Sequence, residues 1–195
     1  TLLGAAEETS VEEAKALFDT NLFGLLRTIR AVLPHMREQR SGRIVNVSSV
    51  LGFLPAPYMA LYSASKHAVE GFSETLDHEV RQFGVRVTVV EPSFTKTNLD
   101  INAPSTVERI PAYAQELAVV SQAIQKNVQK APEPDGVAAT IVSAALGGWK
   151  MRYTPKGEAS LLTKLRRFMP AGPVEKGIRK TFGLADRKST RLNSS

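Results

Sequence analysis

The sequence predicts an α/β domain, because two buried strand patterns enclose one amphipathic helix pattern. Ile44, Val45 and Val47 form a short apolar run of β-branched side chains, and residues 85–90 give a second strand pattern, Val-Arg-Val-Thr-Val-Val. Between them, from Tyr62 onward, apolar residues recur every three or four positions until Gly84. The chain has 195 residues, 43% of them hydrophobic, which is enough for one domain with its own core.

A first helix is predicted to begin at Ser10. The run from Ser10 to Glu13 fits a capping box, in which the serine accepts from a backbone N–H and the glutamate reaches back. Asn21 interrupts the polar–apolar order of this helix, and a mid-helix asparagine ordinarily faces solvent. Pro34 should bend the helix or end its regular hydrogen bonding. The apolar positions are Val11, Leu17, Leu22, Leu25, Ile29 and Leu33.

Tyr62 and Lys66 are predicted to share one face of the central helix, because they are four residues apart. A free tyrosine titrates near pH 10, and a neighbouring ammonium favours its ionised form, which suits the pair for acid–base chemistry near neutral pH. Ser49 and Ser48 follow the first strand, thirteen and fourteen residues before Tyr62. A hydroxyl at that strand end could hold a substrate oxygen.

Taken alone, Tyr-x-x-x-Lys is a weak signal, since a chain of this composition contains roughly 0.2 such matches by chance. The alternative is two surface residues on a helix. The order of features is more specific: a strand, paired serines, a short loop, Tyr62-Ser-Ala-Ser-Lys66, an amphipathic helix and a strand ending in Glu91-Pro92. In this order the residues resemble the short-chain dehydrogenases/reductases.

The resemblance covers residues 1–184 and implies one three-layer Rossmann domain with a parallel sheet. It implies hydride transfer between NADP or NAD, with NADP favoured, and a carbonyl or secondary alcohol. The catalytic residues implied are Asn21, Ser49, Tyr62 and Lys66. The family places the asparagine at a helix distortion, where it holds a water that relays protons to the lysine. The family also suggests a homodimer or homotetramer through the helices that begin near Ser10 and Tyr62.

The second strand leads into the expected nicotinamide contacts. Relatives continue as Pro-Gly-x-(Ile/Val)-x-Thr, whereas this chain has Pro92, Ser93, Thr95 and Thr97 at the matching positions. Ser93 and Thr95 depart from the pattern, so Thr97 is the better match. The cofactor-binding residues implied are therefore Tyr62, Lys66, Pro92, Ser93, Thr95 and Thr97.

The loop at residues 50–61 is unusually apolar and contains two prolines. It either packs on the core or forms one wall of a hydrophobic substrate pocket, together with Ser49. Residues 98–130 fit the variable substrate lid of the family. The apolar loop and the lid together suggest that the substrate is a hydrophobic alcohol or ketone. The pocket residues expected in the loop are Phe53, Leu54, Pro57 and Tyr58.

The C-terminal third predicts further helices. Residues 132–135 should cap a helix, and residues 151–154 resemble a short last strand. Residues 161–168 and 174–182 mix apolar with basic side chains, which indicates a solvated terminal helix or contact with a membrane surface. The apolar side of the capped helix is predicted to hold Val137, Ile141, Val142 and Leu146.

Composition excludes several classes of function. The chain has no cysteine, so disulfides, thiolate catalysis and cysteine–zinc sites are ruled out. His35, His67 and His78 lack metal-ligand spacing, so no metal site is expected and all three are predicted to be surface helix residues. The net charge of +6 is spread out without a nucleic-acid motif, so no nucleic-acid partner is expected. The absence of a signal peptide or long apolar run favours a cytoplasmic location.

Both ends of the sequence predict an incomplete domain. The glycines never form the G-x-G-x-x-G turn that receives a dinucleotide pyrophosphate, which suggests a fragment lacking its first strands and helices and inactive by itself. Residues 185–195 resemble a translated sequencing adapter, so they are expected to be a non-native or disordered tail. Two alternatives to an enzyme are a cofactor-binding scaffold of the same fold and a membrane-associated interaction protein.

Overall fold

The computed structural model describes residues 1–97, 99 and 106–184. After a 3-10 turn at Ala6–Glu8, helix α1 spans Val11–Phe18, a π-helical turn spans Asp19–Phe23, and α2 spans Gly24–Glu38. The predicted capping box is confirmed: the Ser10 hydroxyl accepts from the Glu13 N–H at 3.1 Å, and the Glu13 carboxylate accepts from the Ser10 N–H at 2.9 Å. Pro34 does not end the helix, which continues to its last residue four positions later.

The described residues form one parallel sheet of three strands in the order β1-β2-β3. These are β1 at Gly42–Val47, β2 at Val85–Val90 and β3 at Arg152–Tyr153. Ile44 lies opposite Val87 in the β1–β2 register. The two predicted strands are thus confirmed, and the α/β class with its parallel sheet is confirmed with them.

Helix α3 spans Ala60–Val80 and connects β1 to β2. It ends through a 3-10 turn at Arg81–Phe83 and then Gly84, whose φ of 73° is left-handed. A Cβ on this glycine would lie 2.1 Å from the backbone oxygen of Arg40. The chain therefore turns sharply from helix to strand at the predicted stop, where only glycine fits.

Helices cover both faces of the sheet. Side chains of α2 and α3 pack on one face of β1 and β2, because alternate strand residues point to that side. On the other face lies α5, spanning Asp135–Leu146, where the guanidinium of Arg43 donates to the backbone oxygen of Ala144 at 3.0 Å. This gives the expected three layers. The packed residues of the first face are Ile29, Ile44, Leu76, Val80, Val85 and Val87.

The apolar side of α5 differs from the prediction. Val142 and Leu146 are 56% and 84% exposed, whereas Ala144 is fully buried. Ala144 is the buried residue of this helix, and its backbone oxygen accepts from Arg43 of β1, so this side of the helix lies against the sheet. No side chain from residues 132–135 caps the helix, although it begins where the sequence predicts.

Three further helices complete the described chain: α4 at Pro111–Lys130, α6 at Glu158–Phe168 and α7 at Ala171–Thr181. The three histidines lie on exposed helix positions, as predicted. Within the described ranges, no helix is long and apolar enough to cross a membrane. The tail predicted at 185–195 lies outside the described residues, as do residues 98 and 100–105 of the predicted lid.

Candidate active site

Ser49 is fixed at the carboxyl end of the sheet by backbone pairing that continues past the strands. The Ser48 N–H donates to the oxygen of Val90 at 2.8 Å, and the Val50 N–H donates to the oxygen of Pro92 at 2.9 Å. The Ser49 hydroxyl accepts from the Leu51 N–H at 3.1 Å. It also lies 3.5 Å from the Pro92 oxygen. These contacts set the serine beside the loop that follows β2.

Tyr62 and Lys66 lie one helical turn apart near the start of α3. The tyrosine is buried, with 7% of its surface exposed. The Lys66 ammonium lies 5.7 Å from the centroid of the Tyr62 ring and donates to the backbone oxygen of Val47 at 3.1 Å. Burial lowers the pKa of Lys66, and the negative charge of Glu70 opposes that change. The predicted shared face therefore places a cation beside a phenol at the end of β1.

Asn21 lies in the π-helical turn, so the helix is distorted where the resemblance implied a distortion. A π turn inserts one extra residue into a helix and is frequent at functional sites. The Asn21 amide donates to the Ser65 hydroxyl at 3.0 Å, and that hydroxyl donates to the Tyr62 backbone oxygen at 2.8 Å. Asn21 is thus bonded to the catalytic helix and does not face solvent freely. Its relay role stays a prediction.

One cavity of about 670 Å³ brings most of the predicted residues together. Ser49, Tyr62 and Lys66 line it, and Asn21 does not. The loop after β2 forms an adjoining wall, where the Thr95 hydroxyl turns back to the Ser93 backbone oxygen at 3.1 Å. The predicted cofactor residues on this wall are Pro92, Ser93, Thr95 and Thr97.

The loop at 50–61 lines the cavity with different residues from those predicted. Phe53, Pro57 and Tyr58 are not part of the cavity wall. The 3-10 turn at Val50–Gly52 sets the direction of the loop, and Leu54 is the one predicted residue that it brings to the wall. The loop residues on the wall are Val50, Leu51, Leu54, Pro55 and Met59.

Tyr58 faces helix α4 and not the cavity. Its hydroxyl donates to the Glu116 carboxylate at 3.1 Å, and its ring meets Tyr113 edge-on, with centroids 6.4 Å apart. Burial and the neighbouring Glu116 carboxylate raise the pKa of Tyr58 to about 12. Its phenol is therefore poorly suited to proton transfer near neutral pH.

The opposite wall of the cavity comes from α5, α6 and α7, and α4 contributes nothing to it. Of the lid predicted at residues 98–130, Leu99 lines the cavity, whereas α4 packs its apolar face against Tyr62 and Phe182 in the core. The apolar sides of α6 and α7 therefore form part of the cavity wall. The sequence pattern of leucines among basic residues shows that these helices are amphipathic, but it does not show what their apolar sides contact. The wall residues from these helices are Val137, Ile141, Leu162, Leu165, Val174 and Ile178.

Behind the site lies a cluster of four charged side chains, two of them buried, that the sequence alone did not single out. The Arg152 guanidinium lies 3.0 Å from the Glu91 carboxylate, 3.3 Å from that of Glu70 and 2.5 Å from that of Glu74. Glu91 is completely buried, and Glu70 is 6% exposed. The one available sequence signal is that Glu70 follows Lys66 by four residues on the same helix.

Comparison with known proteins gives consistent matches. A family profile described as short chain dehydrogenase matches residues 2–108. An uncharacterized oxidoreductase of Bacillus subtilis, YusZ, is 34% identical over 170 residues, which cover 84% of this chain and 60% of that protein. A 3-ketodihydrosphingosine reductase of Bacteroides thetaiotaomicron is 44% identical over 99 residues, or 51% of this chain and 37% of that protein.

A solved structure matches over a similar span. The crystal structure of a short-chain dehydrogenase from Streptomyces avermitilis has 39% sequence identity and a TM-score of 0.71, over 84% of this chain and 60% of that one. The chain therefore spans less than two thirds of the length of these relatives.

Proposed function

Because the chain belongs to the short-chain dehydrogenase family, we propose that it carries the catalytic part of an NAD(P)-dependent oxidoreductase acting on a carbonyl or secondary alcohol. The observation that carries the proposal is the meeting of Ser49, Tyr62 and Lys66 at one cavity. The serine is held at the end of a strand, and the tyrosine and lysine lie on successive turns of α3.

In the direction of reduction, Tyr62 donates its hydroxyl proton to the carbonyl oxygen as hydride reaches the carbonyl carbon. Ser49 donates a hydrogen bond to that oxygen while negative charge develops on it. The Lys66 ammonium, 5.7 Å from the Tyr62 ring centroid, stabilises the phenolate that remains. The product is an alcohol, and a proton from solvent restores the tyrosine. Oxidation follows the same steps in reverse.

The cavity has the donors that a nicotinamide riboside needs. Lys66 and Tyr62 line it beside the loop that holds Ser93, Thr95 and Thr97, so an ammonium and several hydroxyls are available to a ribose and a carboxamide. When bound, the nicotinamide supplies or accepts the hydride. We propose NADP or NAD as this cofactor, as the family resemblance implies.

We further propose a hydrophobic substrate. The walls supplied by the loop at 50–61 and by α6 and α7 are mainly aliphatic, with Leu54, Leu162 and Ile178 among them. Apolar walls with a few polar groups at one end are typical of sites that bind apolar small molecules. The reacting carbonyl would then lie at the polar end, beside Ser49 and Tyr62.

The experiment is to purify the product of the complete gene that encodes this chain and to follow NADPH and NADH oxidation with a panel of ketones and aldehydes. Tyr62→Phe should lower turnover by a factor of about 10² or more, because it removes the proton donor. Its cofactor binding, followed by nicotinamide fluorescence, should change little. Tyr58→Phe is the matched control and should keep full activity, since Tyr58 lies outside the cavity.

Two results would contradict the proposal. One is normal turnover in Tyr62→Phe. The other is a folded protein that binds cofactor but converts nothing on a broad panel in either direction, which would favour the cofactor-binding scaffold instead.

A further inference from the structure

Arg166 is a charged side chain on the cavity wall to which the proposed reaction assigns no part. It lies in the last turn of α6, and its Nε donates to the backbone oxygen of Phe53 at 3.3 Å. The side chain lines the cavity and is also exposed, so it lies at the mouth, where α6 meets the loop at 50–61. Among the described residues, the other charged side chains on the wall are Lys66 and Glu158.

The guanidinium of Arg166 retains donors for a ligand. Within the part of the chain that the structure describes, its side chain makes no ion pair and no hydrogen bond besides the one to Phe53. Both Nη groups are therefore available at the mouth of the cavity. Paired N–H donors of this kind match the oxygens of a carboxylate or a phosphate, which an arginine binds through two parallel hydrogen bonds.

The charge around the mouth favours an anion over a cation. Residues 158–182, which contain α6 and α7, hold six basic and two acidic side chains. The acidic side chain on the cavity wall, Glu158, begins α6 and lies eight residues before Arg166, or about 12 Å along the helix axis. Because this separation exceeds the Debye length of about 8 Å, Glu158 does not neutralise the exposed guanidinium.

An aliphatic wall connects the mouth to the reacting groups. Leu162 and Leu165 line the cavity from the same helix as Arg166, and Leu54 lines it from the loop that Arg166 contacts. The reacting groups lie deeper, since Tyr62 is 7% exposed whereas Arg166 is exposed. The cavity therefore offers a proton donor at its buried end, an apolar wall, and a cation at its mouth.

We propose that the substrate is a ketone or alcohol whose apolar chain ends in an anionic group, a carboxylate or a phosphate, and that Arg166 binds this group while the carbonyl lies beside Ser49 and Tyr62. The inference deepens the proposed function and rests on it, because it names the substrate class of the same cavity. Arg166 is then a specificity-determining residue, which selects acidic substrates over neutral ones of equal length.

The phosphates of the cofactor are a second source of the same chemistry. Arg166 contacts the loop at 50–61, which forms the proposed substrate wall. Its side chain makes no hydrogen bond to residues 92–97, the described part of the loop that carries the expected nicotinamide contacts. This placement favours a group on the substrate, and cofactor affinity distinguishes the two sources.

The test compares methyl ketones that differ only at the far end of the chain. The product of the complete gene is assayed with 9-oxodecanoate, with its neutral amide, and with the phosphate ester of the same length. We expect kcat/KM for one of the acids to exceed that for the amide about fivefold, the strength of an exposed ion pair, and the larger ratio identifies the anionic group. Arg166→Gln should bring both ratios close to one, and Arg166→Lys should retain part of the preference.

These ratios cancel any general effect that loss of the contact with Phe53 has on the loop, because acid and amide meet the same altered wall. Arg167→Gln is the matched control. Arg167 carries the same charge on the same helix, but it lies beside the Phe168 ring, 5.7 Å from its centroid, and does not line the cavity. It should leave the ratios as in the wild type, and an equal fall in the two variants would contradict the assignment to Arg166.

Equal kcat/KM for the acids and the amide in the wild type would overturn the inference. It would also be overturned if Arg166→Gln weakened cofactor binding and left the ratios unchanged, since the guanidinium would then serve the cofactor. Failure of the proposed function is recognised separately, by absence of turnover with every ketone. Calorimetric binding of 9-oxodecanoate and its amide with oxidised cofactor present, where no hydride is available to the ketone, still measures the preference in that case.

Discussion

At the scale of single residues, the reactive groups of the candidate site can be predicted from local sequence, whereas the charged cluster behind it depends on residues far apart in the chain. Tyr62 and Lys66 are four residues apart, so helix geometry alone predicts that they share a face. The end of a strand predicts a hydroxyl at Ser48 or Ser49, and the family resemblance selects Ser49. Arg152 lies more than sixty residues beyond Glu91, and no spacing rule connects them. Buried ion clusters of this kind form only when strand order brings their members together.

Glu91 gives a residue-scale prediction about stability and pH. Its pKa is about 8 in the folded protein and 4.5 for an ordinary glutamate, so the folded state binds more protons between these values. Stability should therefore fall as pH rises from 4.5 to 8, by on the order of 1 kcal/mol per pH unit from this group. Glu91→Gln should flatten that decline in urea unfolding measured across the same range.

The matched control is Glu79→Gln, because Glu79 is an exposed glutamate on helix α3. It should leave the slope of stability against pH as in the wild type. A Glu91→Gln protein with an undiminished decline would show that Glu91 is ionised when folded.

At the scale of elements, α3 is held to the sheet at both ends by polar contacts. Near its start Lys66 donates to β1, and near its end Asp77 accepts from Arg86 at 3.0 Å and from the Val87 N–H at 2.9 Å. The Arg81 guanidinium also lies 2.7 Å from the Asp77 carboxylate. The periodicity of apolar residues predicted these elements and their ends. It does not reveal the polar contacts between α3 and the strands.

Asp77 gives the element-scale prediction. Burial alone would raise the pKa of Asp77, but hydrogen bonds from Arg86, the Val87 backbone and Arg81 hold it below its ordinary value. Asp77→Ala should lower the free energy of unfolding by about 3 kcal/mol at pH 7, because it leaves the β2 groups without their acceptor. The stabilisation should be lost as pH falls through the lowered pKa of the aspartate, measurable by urea unfolding.

Asp19→Ala is the control for that experiment. Asp19 pairs with Arg27 at 2.9 Å, but both side chains are more than half exposed. Its removal should change stability little, since exposed ion pairs are screened by water and salt. An equal loss in the free energy of unfolding of the two variants would mean that burial does not determine the strength of these ion pairs.

At the scale of the whole molecule, the cavity depends on two helices, α6 and α7, for which the sequence predicted no part in a pocket. Helix α4, the larger part of the predicted lid, packs in the core through Val120 and Ile124, and α6 and α7 line the cavity together with Leu99. Amphipathic patterns show that a helix has a buried side but do not show which neighbour covers it.

The predicted homodimer or homotetramer stays a prediction. Exposed Val11 and Phe23, at 63% and 46%, lie on the helical segment expected to form its interface.

The cavity walls give a prediction about substrate length. Each added methylene that reaches the aliphatic wall should raise kcat/KM for a straight-chain ketone about fourfold, equivalent to about 0.8 kcal/mol, until the cavity is filled. Leu162→Asn should weaken this dependence, because Leu162 lines the cavity. Leu161→Asn is its matched control, since the neighbouring side chain is 56% exposed and faces outward. A flat series in the wild type would contradict a hydrophobic substrate.

The central claim is hydride transfer at the site of Ser49, Tyr62 and Lys66, and an isotope label tests it most directly. The product of the complete gene is supplied with NADPH or NADH deuterated at the transferable position, together with a ketone that it converts, and the alcohol is examined by mass spectrometry. The account predicts one deuterium at the carbinol carbon from the cofactor, and none there when the label is in the solvent. Deuterium from D₂O at the carbinol carbon, or an alcohol without cofactor deuterium, would contradict it.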